Sequence, residues 1–321
     1  MTVAGRSLVA SAPTRLDFGG GWTDVPPYTE ERGGFVCNLA INRRATVRLF
    51  ESGAGEATPS IVQAALNKFA QAHDRHAASI ERLGISIEND FPVGAGLGGS
   101  SAAGVALAAA LHAIHGLDRD PAALAEWSRQ VEVEEMGIAG GRQDHYAAAF
   151  GGALGLTFTS ETTVEHVPLA AHACSALERR CLLAYTGESR ISGTTITAVL
   201  DAYKERVPRV VSALDRMAQL GRLMHDALAR SDVDALAALV DEHWQHQRAL
   251  HPKITTARID ALESAARAAG ATGLKALGAS GGGCVIVFAD DENVEAVSNA
   301  VAPFAELLSW RVDERGVMIE G

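Results

Sequence analysis

The sequence predicts a protein of mixed helices and strands that is divided into two lobes. Its 321 residues are long for one small domain, and 47% of them are apolar, enough to fill a sizeable core. Short strands are typical of the first part of the chain, and long helical runs follow residue 195. Residues 156–181 are more polar and are expected to be irregular. We therefore place the lobe boundary near Thr186, which gives lobes of residues 1–186 and 187–321.

Runs of apolar and β-branched residues bounded by glycine or proline predict the strands. The predicted strands are residues 8–12, 35–41, 45–50, 84–88, 153–159, 180–185, 284–289 and 307–312. The pair 35–41 and 45–50 is expected to form a hairpin or two neighbouring strands. Arg43 and Arg44 then lie at the turn, as two solvated charges.

Capping residues and helical periodicity predict the helices. The predicted helices are residues 61–76, 101–115, 121–136, 195–230 with a break at Pro208, 232–250, 255–269 and a short run from Asp291. The run 101–115 is apolar nearly all round, which predicts a buried helix. Asp120 and Asp232 are expected N-caps, and Pro121 suits the first helical position.

A glycine-rich stretch leads directly into the buried helix. Residues 91–103 read Phe-Pro-Val-Gly-Ala-Gly-Leu-Gly-Gly-Ser-Ser-Ala-Ala. Glycine lets the backbone approach a ligand closely, and a helix N-terminus presents free N–H groups and the positive end of the helix dipole. Together these features predict an anion site, and phosphate is the usual anion. The serine hydroxyls can also ligate a hard cation such as Mg²⁺.

Two better-known phosphate loops fit less well. A Walker A loop is excluded because no lysine follows these glycines. The dinucleotide pattern GxGxxG does match Gly94, Gly96 and Gly99, with Asp118 or Asp120 as the acid. That acid should end a strand, however, and here it lies in a turn between two helices. A nicotinamide-dependent dehydrogenase is therefore the weaker interpretation.

Two further glycine-rich regions precede and follow this loop. Residues 13–28, Pro-Thr-Arg-Leu-Asp-Phe-Gly-Gly-Gly-Trp-Thr-Asp-Val-Pro-Pro-Tyr, predict either a binding loop or a tight surface turn. In a binding loop, the polar side chains of Arg15, Asp17, Thr23 and Asp24 could reach sugar hydroxyls. Residues 274–283, Leu-Lys-Ala-Leu-Gly-Ala-Ser-Gly-Gly-Gly, form a second glycine loop.

A third glycine turn, at residues 137–141, opens a small-residue helix. Asp144 lies at the start of that helix, where it is either a functional acid or simply an N-terminal cap.

Composition excludes several classes of protein. The formal net charge of −11 argues against a nucleic-acid surface, which would need a basic stripe. The cysteines have no CxxC spacing, so a zinc site or disulfide framework is not expected. They are Cys37, Cys174, Cys181 and Cys284. Two helical histidine pairs lack the HExxH pattern, so no histidine metal site is expected. These pairs are His112 with His115 and His243 with His246.

No targeting or membrane-spanning segment is expected. After Arg6 only residues 8–10 are apolar before polar residues return, unlike a signal peptide. The most apolar run, residues 102–111, is far short of the ~20 residues that a membrane span needs. We therefore expect a cytoplasmic protein with no membrane partner and no nucleic-acid partner.

Taken in chain order, the three glycine motifs at residues 12–24, 92–103 and 275–283 resemble those of the GHMP family of small-molecule kinases. Residues 92–103 carry the most specific part of the resemblance, while residues 12–24 and 275–283 are similar to the first and third family motifs. The resemblance spans nearly the whole chain. It implies an α+β, two-lobed GHMP kinase fold, with an N-terminal lobe resembling ribosomal protein S5 and a C-terminal α+β lobe. It also implies an enzyme that binds ATP with Mg²⁺.

Two stretches narrow the resemblance within the family. Residues 19–28 and 140–152 look most like the D-glycero-D-manno-heptose 7-phosphate 1-kinases, and L-fucokinases share part of both. Both branches phosphorylate the anomeric hydroxyl of a sugar. The implied partner is thus a small-molecule sugar or sugar phosphate, and a fucokinase-like or other sugar kinase is the alternative. A non-catalytic nucleotide or sugar sensor is an alternative of a different class. The helical second lobe could bury a homodimer face, which the sequence does not locate.

The resemblance assigns catalytic and nucleotide roles to positions of this chain. Asp144 matches the catalytic aspartate and Arg15 its basic partner, which is expected to keep Asp144 ionised. Ser101 and Glu132 match the positions that hold Mg²⁺, with Glu134 as the alternative if the register differs by two. The residues expected to wrap the ATP phosphates are Gly94, Gly96, Leu97, Gly98, Gly99, Ser100, Ser101 and Ala102.

Substrate contacts are expected from the remaining loops. The candidates are Gly20, Asp24, Arg142, Arg190, Gly281 and Gly282. A sugar phosphate needs a cation, for which Arg142, Arg190 and Lys275 are candidates. Ser280 stands where this branch commonly has glycine; its side chain is expected beside the phosphate site, with a negative φ. Arg142 stands where lysine is frequent, which keeps the charge but changes the geometry.

Overall fold

The computed structural model describes residues 8–51, 60–73, 83–138, 140–188 and 193–320. The strands of this part are β1 (Leu8–Gly19), β2 (Gly34–Glu51), β3 (Leu83–Asn89), β4 (Ala153–Phe158), β5 (Thr162–Val167), β6 (Cys181–Tyr185), β7 (Ala271–Ala276), β8 (Cys284–Ala289), β9 (Glu306–Leu308) and β10 (Met318–Glu320). The helices are α1 (Tyr28–Arg32), α2 (Ser60–Ala72), α3 (Gly99–Ile114), α4 (Pro121–Gln130), α5 (Gln143–Phe150), α6 (Ala171–Arg180), α7 (Gly193–Lys204), α8 (Pro208–Ala229), α9 (Val233–Leu250), α10 (Ala257–Ala268) and α11 (Val294–Val301). A π-helical turn, Val131–Glu135, continues α4.

The first sheet has the order β10-β1-β2-β4-β5, with β3 also paired to β2, and every pairing is antiparallel. Helix α3 packs on β1 and β2 and is also covered by α2, α4 and α5. This surrounding explains its composition, since a helix that is apolar on all sides is stable only when it is enclosed. Its first turn lies at the end of the glycine-rich stretch, so the core of the lobe positions that loop.

The second sheet has the order β7-β8-β6-β9 and is also antiparallel. Strand β8 is buried along its whole length, and α9 packs on β7 while α8 packs on α9. Helix α8 also contacts β2 of the first sheet. Strand β6 precedes Thr186 yet lies in the second sheet, and β10 returns to the first. The division at residue 186 stays a prediction.

The expected hairpin at residues 35–50 is wrong. Strand β2 runs without interruption past Arg43 and Arg44, and a register shift between Pro13 and Thr14 lets β1 stay paired with it. Arg44 is not a solvated turn residue, because its guanidinium pairs with the buried Asp313 carboxylate. The register shift that keeps the two strands paired depends on both of them, so the residue pattern of β2 alone does not reveal it.

The expected irregular segment at residues 156–181 is also wrong. It contains β5, which pairs with β4, and the whole of α6. The solvent-facing side of the edge strand β5 is polar, which hides the strand in composition. Other boundaries were predicted closely: α8 begins at Pro208, and Asp120 and Asp232 cap their helices by accepting hydrogen bonds from Ala123 N and Ala235 N.

Within the described ranges, no helix combines the length and apolar character needed to cross a bilayer.

Candidate active site

The three glycine motifs meet around one cavity of about 730 Å³. Its walls come from β1 and the loop after it, the loop before α3, the start of α5, and the loop between β7 and β8. Backbone contacts hold these segments together: Arg15 N donates to Leu97 O at 3.1 Å, and Cys284 N donates to Ala95 O at 2.7 Å. Segments far apart in sequence are thus joined through main-chain atoms.

The loop before α3 has the geometry of an anion cradle. Gly94, Gly96 and Gly98 have φ values of 74°, 75° and 74°, in the left-handed region that favours glycine. A Cβ on Gly96 would lie 2.8 Å from the Leu277 carbonyl oxygen, so this loop also needs glycine for packing. Gly98 occupies the N-cap position of α3 and has no side chain to cap the helix N–H groups. The first turn of α3 lines the cavity. The site therefore fits a phosphate.

The predicted phosphate-binding residues lie together in this cradle, with one exception. The lining residues among them are Gly94, Gly96, Leu97, Gly98, Gly99, Ser100 and Ser101. Ala102 does not line the cavity and is fully buried beneath the loop.

Arg15 and Asp144 form an ion pair at the wall of the cradle. Arg15 Nε and Nη2 lie 2.7 and 2.6 Å from Asp144 Oδ1, and Arg15 Nη1 donates to the Gly96 carbonyl at 2.7 Å. The arginine side chain is 3% exposed and that of Asp144 is 26% exposed. A Cβ on Gly98 would lie 3.0 Å from Asp144 Cγ, so the carboxylate stands directly against the phosphate loop.

Glu132 lies in the π-helical turn and faces the same loop. Its Oε1 accepts a hydrogen bond from Ser100 Oγ at 2.8 Å, and its Oε2 accepts one from Ser101 Oγ at 3.3 Å. Glu134, by contrast, is half exposed and pairs with Lys68. The structure thus brings Glu132, and not Glu134, to the serines. Such π turns are frequent at functional sites.

The Glu132 carboxylate has a pKa below its usual value. Burial alone would raise it, but hydrogen bonds from His145, Ser100 and Ser101 outweigh burial and favour the ionised form. Two hydroxyls and an ionised carboxylate are hard oxygen donors of the kind that Mg²⁺ prefers. Across the described ranges, no three His, Cys, Asp or Glu side chains are grouped closely enough to hold a metal. The oxygen donors of Ser100, Ser101 and Glu132 fit Mg²⁺ by their chemistry.

Asp24 is buried at the other end of the cavity. Its Oδ2 accepts hydrogen bonds from the backbone N–H groups of Arg142 and Gln143 at 2.9 and 3.1 Å. Gly141 permits this approach, since a Cβ there would lie 1.9 Å from Asp24 Oδ2. Burial raises the pKa of Asp24 to about 6, and the neighbouring carboxylates of Asp144 and Asp17 add to the rise.

We expect Asp24→Asn to stabilise the fold above neutral pH. The folded carboxyl titrates near pH 6 and an unperturbed one near 3.8, so folding takes up a proton between these values. The contribution of Asp24 to the free energy of unfolding is fully present below pH 4. It is lost as the pH rises through 6, which lowers the free energy of unfolding by up to about 3 kcal/mol. The asparagine oxygen can still accept both backbone hydrogen bonds.

Urea unfolding of Asp24→Asn and wild type at a series of pH values tests this expectation. The variant should exceed the wild type at pH 7.5, and the difference should shrink as the pH falls toward 4. Equal stabilities at pH 7.5 would contradict it.

Three buried polar atoms of the cavity wall have no hydrogen-bond partner among the residues that the structure describes. They are Asp17 Oδ1, Trp22 Nε1 and Gln143 Oε1. Trp22 also has a φ of 78°, which is rare for a bulky residue and is typical of functional sites. Because buried polar groups are nearly always satisfied, this end of the cavity fits a ligand rich in hydroxyl groups. Trp22 and Gln143 were not predicted, since their convergence depends on the fold.

Of the three cations predicted to meet a sugar phosphate, the two that the structure describes, Arg142 and Lys275, do not line the cavity. Lys275 is fully buried, and its Nζ lies 2.7 Å from the Asp17 carbonyl oxygen and 3.0 Å from Asp17 Oδ2. Burial lowers its pKa, which the Asp17 charge partly offsets. The Arg142 guanidinium donates to Thr162 Oγ1 at 3.2 Å, away from the cavity. Arg190 lies outside the described residues.

Of the remaining predicted substrate residues, some line the cavity and others do not. Gly282 lines the cavity, whereas Gly20 and Gly281 do not. Gly281 N donates to Ile254 O at 2.8 Å. Thr23 was expected to reach a sugar, but it is fully buried and its Oγ1 donates to the Gly20 carbonyl at 2.7 Å.

Ser280 corrects an expectation about the third motif. Its φ is 65°, in the left-handed region, although a negative value was expected for a residue with a side chain. Its hydroxyl donates to the Ile254 carbonyl, and this bond holds the residue in place. Ser280 itself lines the cavity, so the loop keeps the backbone path that glycine would take.

His243 supports the first motif from the second lobe. The imidazole is fully buried on α9, and its Nε2 accepts a hydrogen bond from Gly20 N at 2.9 Å. Burial lowers its pKa well below the usual value, so the ring is neutral. No signal in the sequence indicates this contact, because 223 positions separate the two residues.

Comparison with known families identifies the class of protein to which this fold and cavity belong. Residues 60–152 match the GHMP kinases N terminal domain, and residues 224–305 match the GHMP kinases C terminal. The chain belongs to the GHMP kinase family. Kinases of this family use ATP as the phosphate donor.

Similar proteins come from several branches of the family. The bifunctional fucokinase/GDP-fucose pyrophosphorylase of Arabidopsis thaliana is 27% identical over 89% of this chain, which spans only 30% of that relative. The D-glycero-alpha-D-manno-heptose 7-phosphate kinase of Campylobacter jejuni is 26% identical, over 89% of this chain and 90% of its own length. A D-glycero-D-manno-heptose 1-phosphate kinase from Bacteroides thetaiotaomicron superimposes with a TM-score of 0.80 at 22% identity, covering 98% and 99% of the two chains.

Proposed function

We propose that this chain transfers a phosphoryl group from ATP to the anomeric hydroxyl of a sugar. The first candidate acceptor is D-glycero-D-manno-heptose 7-phosphate, which would yield the 1,7-bisphosphate. One observation carries the proposal: the Arg15–Asp144 pair stands against Gly98, between the phosphate cradle and the end of the cavity with unpartnered polar atoms. The Campylobacter relative named for this heptose phosphate supports the choice of acceptor.

In the proposed reaction, Asp144 receives the proton of the acceptor hydroxyl. Both Arg15 contacts go to Asp144 Oδ1, which leaves Oδ2 for the hydroxyl. The acceptor oxygen forms a bond to the γ-phosphorus as the bond to the β,γ-bridging oxygen breaks, and ADP leaves. An anomeric hydroxyl is more acidic than an ordinary alcohol, so it gives up its proton to the carboxylate more readily. Mg²⁺ held at Ser101 and Glu132 would neutralise phosphate charge.

A second candidate is an unphosphorylated sugar, as in a fucokinase. Among the described residues that line the cavity, Arg15 is the one cation, and it is occupied by Asp144 and Gly96. The Asp24 carboxylate would repel a second phosphate, whereas Asp17 is paired with Lys275; both side chains suit neutral hydroxyl groups as hydrogen-bond acceptors. This charge pattern favours a sugar without a phosphate at that end.

ATP consumption across a panel of acceptors tests the proposal. The panel contains heptose 7-phosphate, mannose, fucose, galactose and one non-sugar alcohol, each with Mg²⁺. Turnover of heptose 7-phosphate supports the first candidate, and turnover of an unphosphorylated sugar alone supports the second. If ATP binds but no acceptor is phosphorylated, the kinase proposal fails and a nucleotide or sugar sensor replaces it.

A further inference from the structure

We propose that His145 is a positioning residue that holds Glu132 and Ser101 in the arrangement in which they bind the metal-nucleotide. The inference rests on the proposed function, because it concerns the same phosphate site. His145 follows Asp144 in the first turn of α5, and it is 1% exposed. No role had been expected for it from the sequence.

Each ring nitrogen of His145 has a partner. Nε2 lies 2.9 Å from Glu132 Oε2 and 3.3 Å from Ser101 Oγ, while Nδ1 lies 3.0 Å from Ser128 Oγ. A carboxylate only accepts hydrogen bonds, so the contact with Glu132 assigns a hydrogen to Nε2. In the neutral ring, Nδ1 then accepts from the Ser128 hydroxyl. The ring is therefore fixed from both sides.

Ser128 is buried where two helices approach each other closely. It lies on α4, is 2% exposed, and approaches α3 at Gly104. A Cβ on residue 104 would lie 2.3 Å from Ser128 Oγ, so a side chain there would displace the hydroxyl. A continuous set of contacts thus runs from Gly104 through Ser128 and His145 to Glu132, and it connects α3, α4, the π-helical turn and α5.

This arrangement has a direct consequence for the predicted metal ligands. If the Ser101 oxygen binds a cation, its hydrogen must point to an acceptor, and Glu132 Oε2 lies within reach at 3.3 Å. The N–H of His145 holds that same carboxylate oxygen beside Ser101. Partners of this kind orient metal ligands, and their loss typically weakens metal affinity 10- to 100-fold.

The test measures Mn²⁺ binding to the full-length protein in the presence of ADP by electron paramagnetic resonance. No sugar is needed for this measurement. We expect His145→Leu to weaken Mn²⁺ binding by roughly 10- to 100-fold, and Ser128→Ala by roughly 3- to 10-fold. His145→Gln should return to within about threefold of wild type, because an amide can donate to Glu132 and accept from Ser128.

His225→Leu is the matched control. His225 is also largely buried, at 14% side-chain exposure, but its described charged partners are Glu165 and Asp226 and not Glu132. Mn²⁺ binding should be unchanged in this variant. The Mg²⁺ concentration that gives half-maximal turnover should rise in His145→Leu in parallel with the loss of Mn²⁺ affinity.

Unchanged Mn²⁺ binding in a folded His145→Leu variant would overturn the inference. If that variant does not fold, unchanged binding in Ser128→Ala overturns it instead. A His145→Gln variant as weak as His145→Leu would also overturn it, since a role in shape alone would then suffice. If Mn²⁺ binding falls as expected while no sugar is phosphorylated, the positioning role stands and the sugar-kinase proposal fails.

Discussion

Asp144→Asn should lower kcat by about a thousandfold while leaving nucleotide binding nearly unchanged. A positioned general base contributes roughly 10²- to 10⁴-fold to a rate. Asparagine has the size of aspartate, and its oxygen can still accept the hydrogen bonds from Arg15, but it cannot take up the acceptor proton. The variant therefore removes the proton acceptor and keeps most of the packing against Gly98. Steady-state kinetics on the best acceptor, with ADP titration by calorimetry, separate the two effects.

Asp118→Asn is the control for this variant. Asp118 is an aspartate outside the cavity, in the turn after α3, and its carboxylate contacts only the neighbouring backbone N–H of Arg119 among the described contacts. It should keep wild-type kinetics. A kcat for Asp144→Asn within about threefold of wild type would exclude Asp144 as the base.

The glycine loop before α3 was predictable because its residues are contiguous. Gly94, Gly96 and Gly98 appear in the sequence as a local pattern before a buried helix, and their left-handed φ values follow from that local chemistry. The same holds for helix starts at Asp120 and Asp232, where the cap and the capped N–H lie three residues apart. Local sequence patterns are sufficient where the interacting residues are neighbours in the chain.

The end of the cavity around Asp17 and Asp24 was harder to predict because its contacts are long-range. Lys275 was predicted as a candidate partner for a sugar phosphate, because such a group needs a cation. In the structure Lys275 lies across from Asp17, 258 positions away, and the pair is buried. Trp22 and Gln143 leave unpartnered atoms in the wall only because β1 and α5 are adjacent. Such convergence is a property of topology and not of any one segment.

The pairing of Arg15 with Asp144 shows what a family resemblance adds. The two residues are 129 positions apart, and Asp144 considered alone is equally suited to cap a helix. Only the resemblance joined them. The structure places them in contact, and Asp144 makes no side-chain cap in α5, whose N-cap position is taken by Arg142.

Glu132→Gln should reduce kcat/KM for MgATP on the order of a hundredfold, equivalent to about 2.7 kcal/mol. Glutamine keeps the shape of the side chain, and its oxygen can accept from one serine, so the main loss is negative charge beside the phosphate loop. The dependence on Mg²⁺ should change with it: the half-saturating concentration should rise at least tenfold.

Glu134→Gln is the matched control, two residues along the same turn. Its carboxylate is 52% exposed and faces Lys68, so its removal should alter kcat/KM by less than about twofold. The family resemblance assigned Glu132, with Glu134 as the alternative if the register differed by two. Because a π-helical turn brings position 132 to Ser100 and Ser101, we expect the charge at 132, and not at 134, to act on the phosphates. Equal losses in both variants would mean that only the net charge of the turn matters.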